Sequence, residues 1–230
     1  MNIDYCKIKT GSFTLWLAAT FKDSPLKDAL ADGLRSLERI YPVKKVPASA
    51  TSEVCTLTYD NEIFYFKQYH CRSLWDLIKH TVRPSRARRA MQAAAMLEAN
   101  GFAVPEIVAM GSRRKCLFSL ENFLLTREIE DALPLYVFFD QQYGQKQPSS
   151  KARDLRGRMN VEKREFINTL GHLVGRLHAK NISHGDLRLG NILVRLSLNQ
   201  QPTTSNKFSS SFFSTTNAPC NTHACPITCD

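Results

Sequence analysis

The run HGDLRLGNILV, residues 184–194, is the feature that most constrains the fold of this chain. It opens with a histidine, places an aspartate two residues later and an asparagine five beyond that, and closes on apolar residues that predict a buried strand. The preceding segment, EKREFINTLGHLVGRLHAKN, spaces Ile167, Leu170, Val174 and Leu177 at helical intervals. The sequence therefore predicts an amphipathic helix, a polar loop and a short strand in succession.

The polar side chains of this loop have the chemistry that phosphoryl transfer requires. In that reaction a protein positions the nucleotide, neutralises charge with Mg²⁺ and offers a carboxylate to the attacking hydroxyl. We predict that Asp186 accepts the hydroxyl proton, that Asn191 gives an oxygen ligand to Mg²⁺, and that Arg188 contacts the transferring phosphate. An ordinary helix-to-strand turn with capping residues is the plainer alternative. The whole run, between a helix and a strand, favours the phosphotransferase interpretation.

The segments upstream of the loop predict a small sheet and one long helix. EVCTLTY and EIFYFKQY are β-branched and aromatic runs separated by Asp60-Asn61, which indicates a hairpin. SRARRAMQAAAMLEANG predicts a helix that Ser85 caps and Gly101 ends. The remaining expectations are strands at IVAMG and FLLTREI, a short helix at CRSLWDLIKH, a strand from Phe13 to Ala18, a helix over Leu26–Ile40, and a loop from Gln141 to Arg158.

These segments together resemble a known family. HGDLRLGNILV is similar to the catalytic loop of the protein-kinase-like superfamily in its HGD variant. EIFYFKQY, SLWDLIKHTVRPSRARRAMQAAAMLEANGFAVPEIVAMG and FLLTREIEDALPL resemble the lipopolysaccharide kinase family, the bacterial Kdo and heptose kinases. The resemblance implies a two-lobed, protein-kinase-like α+β fold. Residues 1–131 would hold the N-terminal sheet lobe with its preceding segment, and residues 132–196 a partial C-terminal helical lobe with the catalytic loop.

The resemblance also implies an activity and a set of roles. The expected reaction is ATP-dependent phosphorylation of a hydroxyl on a lipopolysaccharide core sugar, or on another phosphorylated saccharide, with Mg²⁺. Lys67 would be the strand lysine that holds the α- and β-phosphates, and a solvated strand lysine is the alternative. Thr126, Arg127 and Glu128 would form the hinge, where backbone groups meet the adenine.

The sequence departs from the family pattern in three places. Ala90 occupies the helix position aligned with the glutamate that pairs the strand lysine, so Glu98, near the helix end, is the candidate partner or else a surface charge. PASATSE, where the phosphates should be covered, contains no glycine. A second Mg²⁺-binding aspartate is missing, because no acid lies between Asp186 and Asp230. We therefore expect an incomplete active site and a doubtful activity.

The segment after Arg195 changes character abruptly. It is rich in Ser, Thr, Asn, Gln and Pro without periodicity, and predicts that residues 197–230 form a disordered or non-native tail behind a lobe that is cut short. Three cysteines and a histidine in this tail do not have the spacing of a standard zinc site.

The formal charge of +10 predicts an anionic partner. One basic cluster comprises Lys79, Arg83, Arg86, Arg88 and Arg89, and a second is formed by residues 113–115. Each is either a solvated surface or a docking site for phosphorylated saccharide or an anionic membrane, and no motif indicates specific nucleic-acid binding. Isolated cysteines in the body and the lack of a secretory signal predict a cytoplasmic protein, with a peripheral position at the inner membrane as the variant.

Two other functions stay open on the sequence alone. An atypical protein kinase, or another small-molecule phosphotransferase of the same fold, shares the HGD…N pattern. A non-catalytic, kinase-like remnant is the other alternative, and the missing carboxylate supports it. Phosphorylation of a protein would indicate the first, and nucleotide binding without turnover would indicate the second.

Overall fold

A computed structural model describes residues 4–46, 52–70, 84–115, 118–144, 152–183, 187–195 and 212–214. The chain divides into two compact units. The first comprises Met1–Glu98 and Val104–Ile129, and the second Ala99–Ala103 and Glu130–Asp230.

The first unit is built on a seven-stranded antiparallel sheet in the order β1-β2-β6-β7-β5-β4-β3. Its strands are β1 (Tyr5–Thr10), β2 (Phe13–Ala18), β3 (Val43–Val46), β4 (Ser52–Tyr59), β5 (Glu62–Tyr69), β6 (Ile107–Lys115) and β7 (Phe118–Arg127). The predicted hairpin is confirmed: Tyr59 pairs with Glu62, and Asp60 and Asn61 have φ values of 51° and 63°. Asn and Asp tolerate this left-handed region, which tight hairpin turns require.

Alternation along the strands gives the sheet two different buried faces. Phe64, Phe66 and Leu125 lie in one apolar cluster, which the helices α1 (Pro25–Asp32) and α2 (Leu34–Ile40) also join. Tyr69 and Leu124 lie in the other cluster with α3 (Arg86–Ala99). We refer to the second as the α3 face of the sheet. It carries the odd-numbered residues of β5.

The prediction of one continuous helix over Leu26–Ile40 is wrong. Gly33, with φ of 86°, separates α1 from α2. Its left-handed backbone cannot continue a helix, and the break lets Leu30 and Leu37 both be fully buried against the sheet.

Helix α3 follows the prediction closely. The Arg88 N–H donates to Ser85 Oγ at 3.2 Å, which is an N-cap hydrogen bond, and Gly101 has φ of 77° just beyond the helix. Its buried residues are Ala87, Ala90, Ala93, Ala94 and Leu97. The helix predicted at CRSLWDLIKH lies outside the described residues.

The second unit contains a three-stranded sheet in the order β10-β9-β8 and two helices. The elements are β8 (Ala132–Pro134), α4 (Leu135–Tyr143), α5 (Ala152–Ala179), β9 (Ile192–Arg195) and β10 (Phe212–Ser214). Leu135, Phe138, Phe166, Ile192 and Val194 form its core. β10 lies within the segment for which the sequence predicts no periodic structure, and it pairs with β9.

The predicted loop from Gln141 to Arg158 is too long at both ends. Helix α4 reaches Tyr143, and α5 begins at Ala152. Phe138 and Phe166 stack with ring centroids 4.9 Å apart. This contact gives α4 an apolar side that stabilises the helix, although the residues at its end are polar. The predicted stripe on α5 is confirmed at Leu177, which is buried, and wrong at Ile167, which is 48% exposed while its neighbour Phe166 is buried.

Candidate active site

Lys67 lies in the middle of β5, on the α3 face of the sheet. It pairs with Val54 of β4 and Leu124 of β7, and its side chain is half-buried. Its Nζ lies 5.5 Å from the ring centroid of Tyr69 on the same face. The ammonium is therefore held beside an aromatic ring on the helix-covered side of the sheet, where a cation–π contact attracts it.

Helix α3 brings an alanine to this face at the position where the family pattern has a glutamate. Ala90 is 2% exposed and packs in the cluster that contains Ala87, Ala94 and Tyr69. No carboxylate occurs in α3 before Glu98. The arrangement leaves an apolar helix surface at the centre of the contact between α3 and the sheet.

Glu98 is exposed near the end of α3. Burial, together with the negative charges of Glu106 and Glu98, raises the pKa of Tyr5 to about 12. The Tyr5 hydroxyl donates to the Ile107 carbonyl at 2.7 Å. The structure thus places Glu98 in the electrostatic surroundings of Tyr5, and its pairing with Lys67 stays a prediction.

The predicted hinge residues follow one another at the end of β7. Thr126 pairs with Tyr65 of β5 and with Ile107 of β6. The Glu128 N–H donates to the Ile63 carbonyl at 2.8 Å, and the Tyr65 hydroxyl donates to Glu128 Oε1 at 3.2 Å. Burial and the Glu128 carboxylate raise the pKa of Tyr65, so this hydroxyl stays a donor at neutral pH. Both side-chain and backbone groups therefore hold the hinge.

Arg127 is the third predicted hinge residue, and the sequence did not indicate its surroundings. Its Nε donates to Glu106 Oε2 at 2.8 Å, and its Nη1 donates to Glu62 Oε1. Its guanidinium lies 5.9 Å from the Phe21 ring and 5.6 Å from the Phe64 ring. The only sign of this network in the sequence is an acidic residue at or just before the start of β5 and of β6. This sign becomes informative once it is known that both strands are neighbours of β7.

The second unit contains the other predicted residues that can be described. Arg188 is exposed and precedes a 3₁₀ turn, Leu189–Asn191, in which the Asn191 N–H donates to the Arg188 carbonyl at 2.8 Å. Asn191 is buried, directly before β9. The strand predicted after the loop is confirmed. Asp186 lies outside the described residues.

The donor set for Mg²⁺ can be judged from the same loop. Asn191 supplies one neutral amide oxygen, whereas Mg²⁺ prefers several hard oxygen ligands, usually with at least one carboxylate. Among the described residues no group of three His, Cys, Asp or Glu side chains is placed to hold a metal ion. The described donors by themselves do not fit Mg²⁺.

The basic cluster at the start of α3 does not share one surface. Arg88 is exposed, whereas Arg86 and Arg89 are half-buried and Ala87 is buried. Burial raises the pKa of the Tyr69 phenol to about 12, and the charges of Arg86 and Arg89 act against that rise. Lys79 and Arg83 lie outside the described residues.

The fold is similar to that of one solved structure, and a second solved structure matches more weakly. "WaaP in complex with acyl carrier protein" matches with a TM-score of 0.56 and 18% identity, over 90% of this chain and 72% of that one. The PknI kinase domain of Mycobacterium tuberculosis matches with a TM-score of 0.41 and 12% identity, over 78% of this chain and 60% of that one. The predicted protein-kinase-like α+β fold is confirmed.

The family follows from a second comparison. The model of the lipopolysaccharide kinase (Kdo/WaaP) family matches residues 45–205, so the chain belongs to that family, as its sequence predicts. The family is one of kinases, which makes phosphotransferase the class of enzyme that the chain represents. A search of curated proteins found no match. None of the helices in the described part of the chain combines the length and apolar character needed to cross a membrane.

Proposed function

We propose that this protein is an ATP-dependent phosphotransferase whose acceptor is a hydroxyl of a lipopolysaccharide core sugar. The family match over residues 45–205 carries the proposal, because it spans the strand lysine, the hinge and the HGD…N loop. The position of Lys67 on the α3 face supports its assignment, since an ammonium on that face can meet phosphate oxygens.

Each residue has a defined part in the proposed reaction. Lys67 holds the α- and β-phosphates, while the backbone at Thr126 and Glu128 meets the adenine. The acceptor oxygen forms a bond to the γ-phosphorus, the bond from that phosphorus to the β,γ-bridging oxygen breaks, and ADP leaves with the electron pair. Asp186 takes the hydroxyl proton and Arg188 contacts the transferring phosphoryl group.

The proposed metal chemistry is weaker than in an ordinary kinase. Mg²⁺, when bound with ATP, would neutralise charge on the phosphates, and Asn191 would be its protein ligand. No acid follows Asp186 before Asp230. We therefore propose that the chain binds nucleotide and transfers phosphate more slowly than a kinase that has both metal-binding carboxylates.

The test is Mg²⁺-dependent ATP binding and hydrolysis by the purified full chain, followed by phosphate transfer from radiolabelled ATP to lipopolysaccharide core oligosaccharide. The matched control is Asp186→Ala, which removes the proposed base but leaves Lys67 and the hinge. Transfer to the sugar that disappears in the control supports the proposal. Nucleotide binding without transfer indicates a non-catalytic kinase-like protein, and no binding of ATP by a folded chain contradicts the proposal.

An atypical protein kinase, or another small-molecule phosphotransferase, is the second candidate enzyme. The HGD…N loop supports it equally well, because the loop acts on the phosphate and the attacking hydroxyl and does not recognise the rest of the acceptor. Incubation with a mixture of core oligosaccharide and protein acceptors separates the two, since label in protein alone favours a protein kinase.

We also propose that the protein works in the cytoplasm, at the inner face of the membrane. The formal charge of +10 supports contact with anionic lipid or with phosphorylated saccharide. The similar structure is titled as a complex of WaaP with acyl carrier protein, so that carrier is a further partner to test. Sedimentation with vesicles of anionic or neutral lipid measures the first contact, and its loss at high salt is the expected result.

A further inference from the structure

Helix α3 differs from the corresponding helix of related folds in the charge of its first turns. Its first three turns read RARRAMQAAAM, with three arginines and no acid. In related folds the corresponding helix supplies a glutamate that pairs with the strand lysine. Here that position is Ala90, which is 2% exposed in an apolar cluster.

Two of the arginines lie on the side of α3 that faces the sheet. Arg86 and Arg89 are three residues apart, so they are neighbours on the helix surface, and both are half-buried. Arg86 adjoins Ala87 in the chain and Arg89 adjoins Ala90, and both alanines belong to the cluster that contains Tyr69. The Nε of Arg89 is buried. Arg88, between them in sequence, is exposed.

The lysine of β5 and these two arginines share one aromatic neighbour. Lys67 Nζ lies 5.5 Å from the Tyr69 ring centroid, and Tyr69 is 7% exposed. The charges of Arg86 and Arg89 act on the phenol of the same residue. The three cationic side chains therefore lie around one cluster on the α3 face, that of Tyr69, Ala87 and Ala90, and two of them are guanidinium groups, which bind phosphate in a bidentate manner.

We propose that Arg89 and Arg86 complete, together with Lys67, a binding site for the triphosphate of the nucleotide. This inference rests on the proposed function for the identity of the ligand and on the arrangement around Tyr69 for the site. A polyphosphate chain carries several negative charges. A cluster of three cations, without a glutamate on the helix, matches that charge better than a lysine–glutamate pair does. Arg89, whose Nε is buried, is the arginine that we expect to contribute more.

The experiment measures binding of inorganic tripolyphosphate to the full chain by isothermal titration calorimetry at low ionic strength. The variants are Lys67→Met, Arg86→Met and Arg89→Met, and Arg88→Met is the matched control. Methionine keeps the apolar stem of each side chain and removes its charge. Loss of one charge-assisted contact weakens binding ~10-fold for Arg89 and for Lys67. Arg88→Met should stay within about twofold of the unmodified chain, because a screened, solvated charge contributes little.

Thermal unfolding of every variant separates loss of the site from loss of the fold. Where Arg89→Met does not fold, Arg89→Lys takes its place, since it keeps the charge but loses the planar fork, and binding intermediate between the two extremes is then expected. Tripolyphosphate binding by a folded Arg89 variant that equals that of Arg88→Met overturns the inference. No binding of tripolyphosphate by the unmodified chain overturns it as well.

A parallel titration with ATP distinguishes the two proposals. A chain that binds tripolyphosphate through Arg89 but does not bind ATP has the anion site and lacks the proposed nucleotide function. A chain that binds ATP with equal affinity in the Arg89 and Arg88 variants has the function and lacks the inferred site.

Discussion

Arg127 connects the end of β7 to residues at or just before the starts of β5 and β6, and its replacement by methionine tests the packing of the first unit. The Arg127 side chain is 31% exposed, and the side chains of its partners Glu62 and Glu106 are 46% and 36% exposed, so solvent screens both ion pairs. Pairs of this kind contribute ~0.5 kcal/mol each. The contacts with Phe21 and Phe64 add about 0.5 kcal/mol each. We therefore expect Arg127→Met to lower the free energy of unfolding by about 2 kcal/mol.

The measurement is the urea dependence of unfolding, followed by tryptophan fluorescence and circular dichroism. The control is Arg113→Met on β6, where one ion pair with Glu121 at 3.6 Å and one contact with the Phe13 ring at 5.9 Å are lost. Its expected cost is half as large, about 1 kcal/mol. Equal costs for the two variants, or a cost below ~0.5 kcal/mol for Arg127→Met, would refute the view that this network holds the hinge.

Three further predictions concern the same unit. Gly111→Ala should lower the free energy of unfolding by ~1–3 kcal/mol in urea, because a Cβ there overlaps the Phe123 ring; unchanged stability would show that the ring moves freely. Ser85→Ala should cost about 1 kcal/mol in the same assay by removing the N-cap bond of α3. In Tyr5→Phe, the free energy of unfolding should fall less steeply between pH 10 and 12. The folded-state pKa of Tyr5, about 12, exceeds the ordinary value of 10.0, so its contribution is complete below pH 10 and is lost as the pH rises through 12. Urea midpoints at pH 9 and pH 11 measure this difference, and an equally steep fall in Tyr5→Phe would contradict it.

Local signals in the sequence predicted the elements that depend on neighbouring residues. The Asp60-Asn61 turn, the Ser85 cap and the strand at Ile192 each require only a few adjacent side chains, so their patterns are complete in a short window. The face on which Lys67 lies also follows from alternation along β5. The break at Gly33 and the extension of α4 to Tyr143 could not be predicted, because both depend on which residues the rest of the fold buries.

The candidate site shows the same division. Lys67, Asn191 and the substitution at Ala90 could be found because each belongs to a recognisable segment. The Arg127 network joins residues far apart in sequence, and its partners become neighbours only when the order of β5, β6 and β7 is known. The separation of Arg88 from Arg86 and Arg89 likewise depends on the orientation of α3 against the sheet.

The order of strands at one side of the sheet has a consequence for handling the protein. Residues 1–44 precede the segment that the family model matches, and their hairpin β1–β2 pairs with β6. A chain shortened to the matched segment would present β6 as a bare edge, with unpaired backbone groups free to join a second molecule. It would also uncover the apolar face that α1 and α2 shield. A chain shortened to its family-defined part should therefore be less soluble and more prone to aggregate, although no residue of the candidate site is removed.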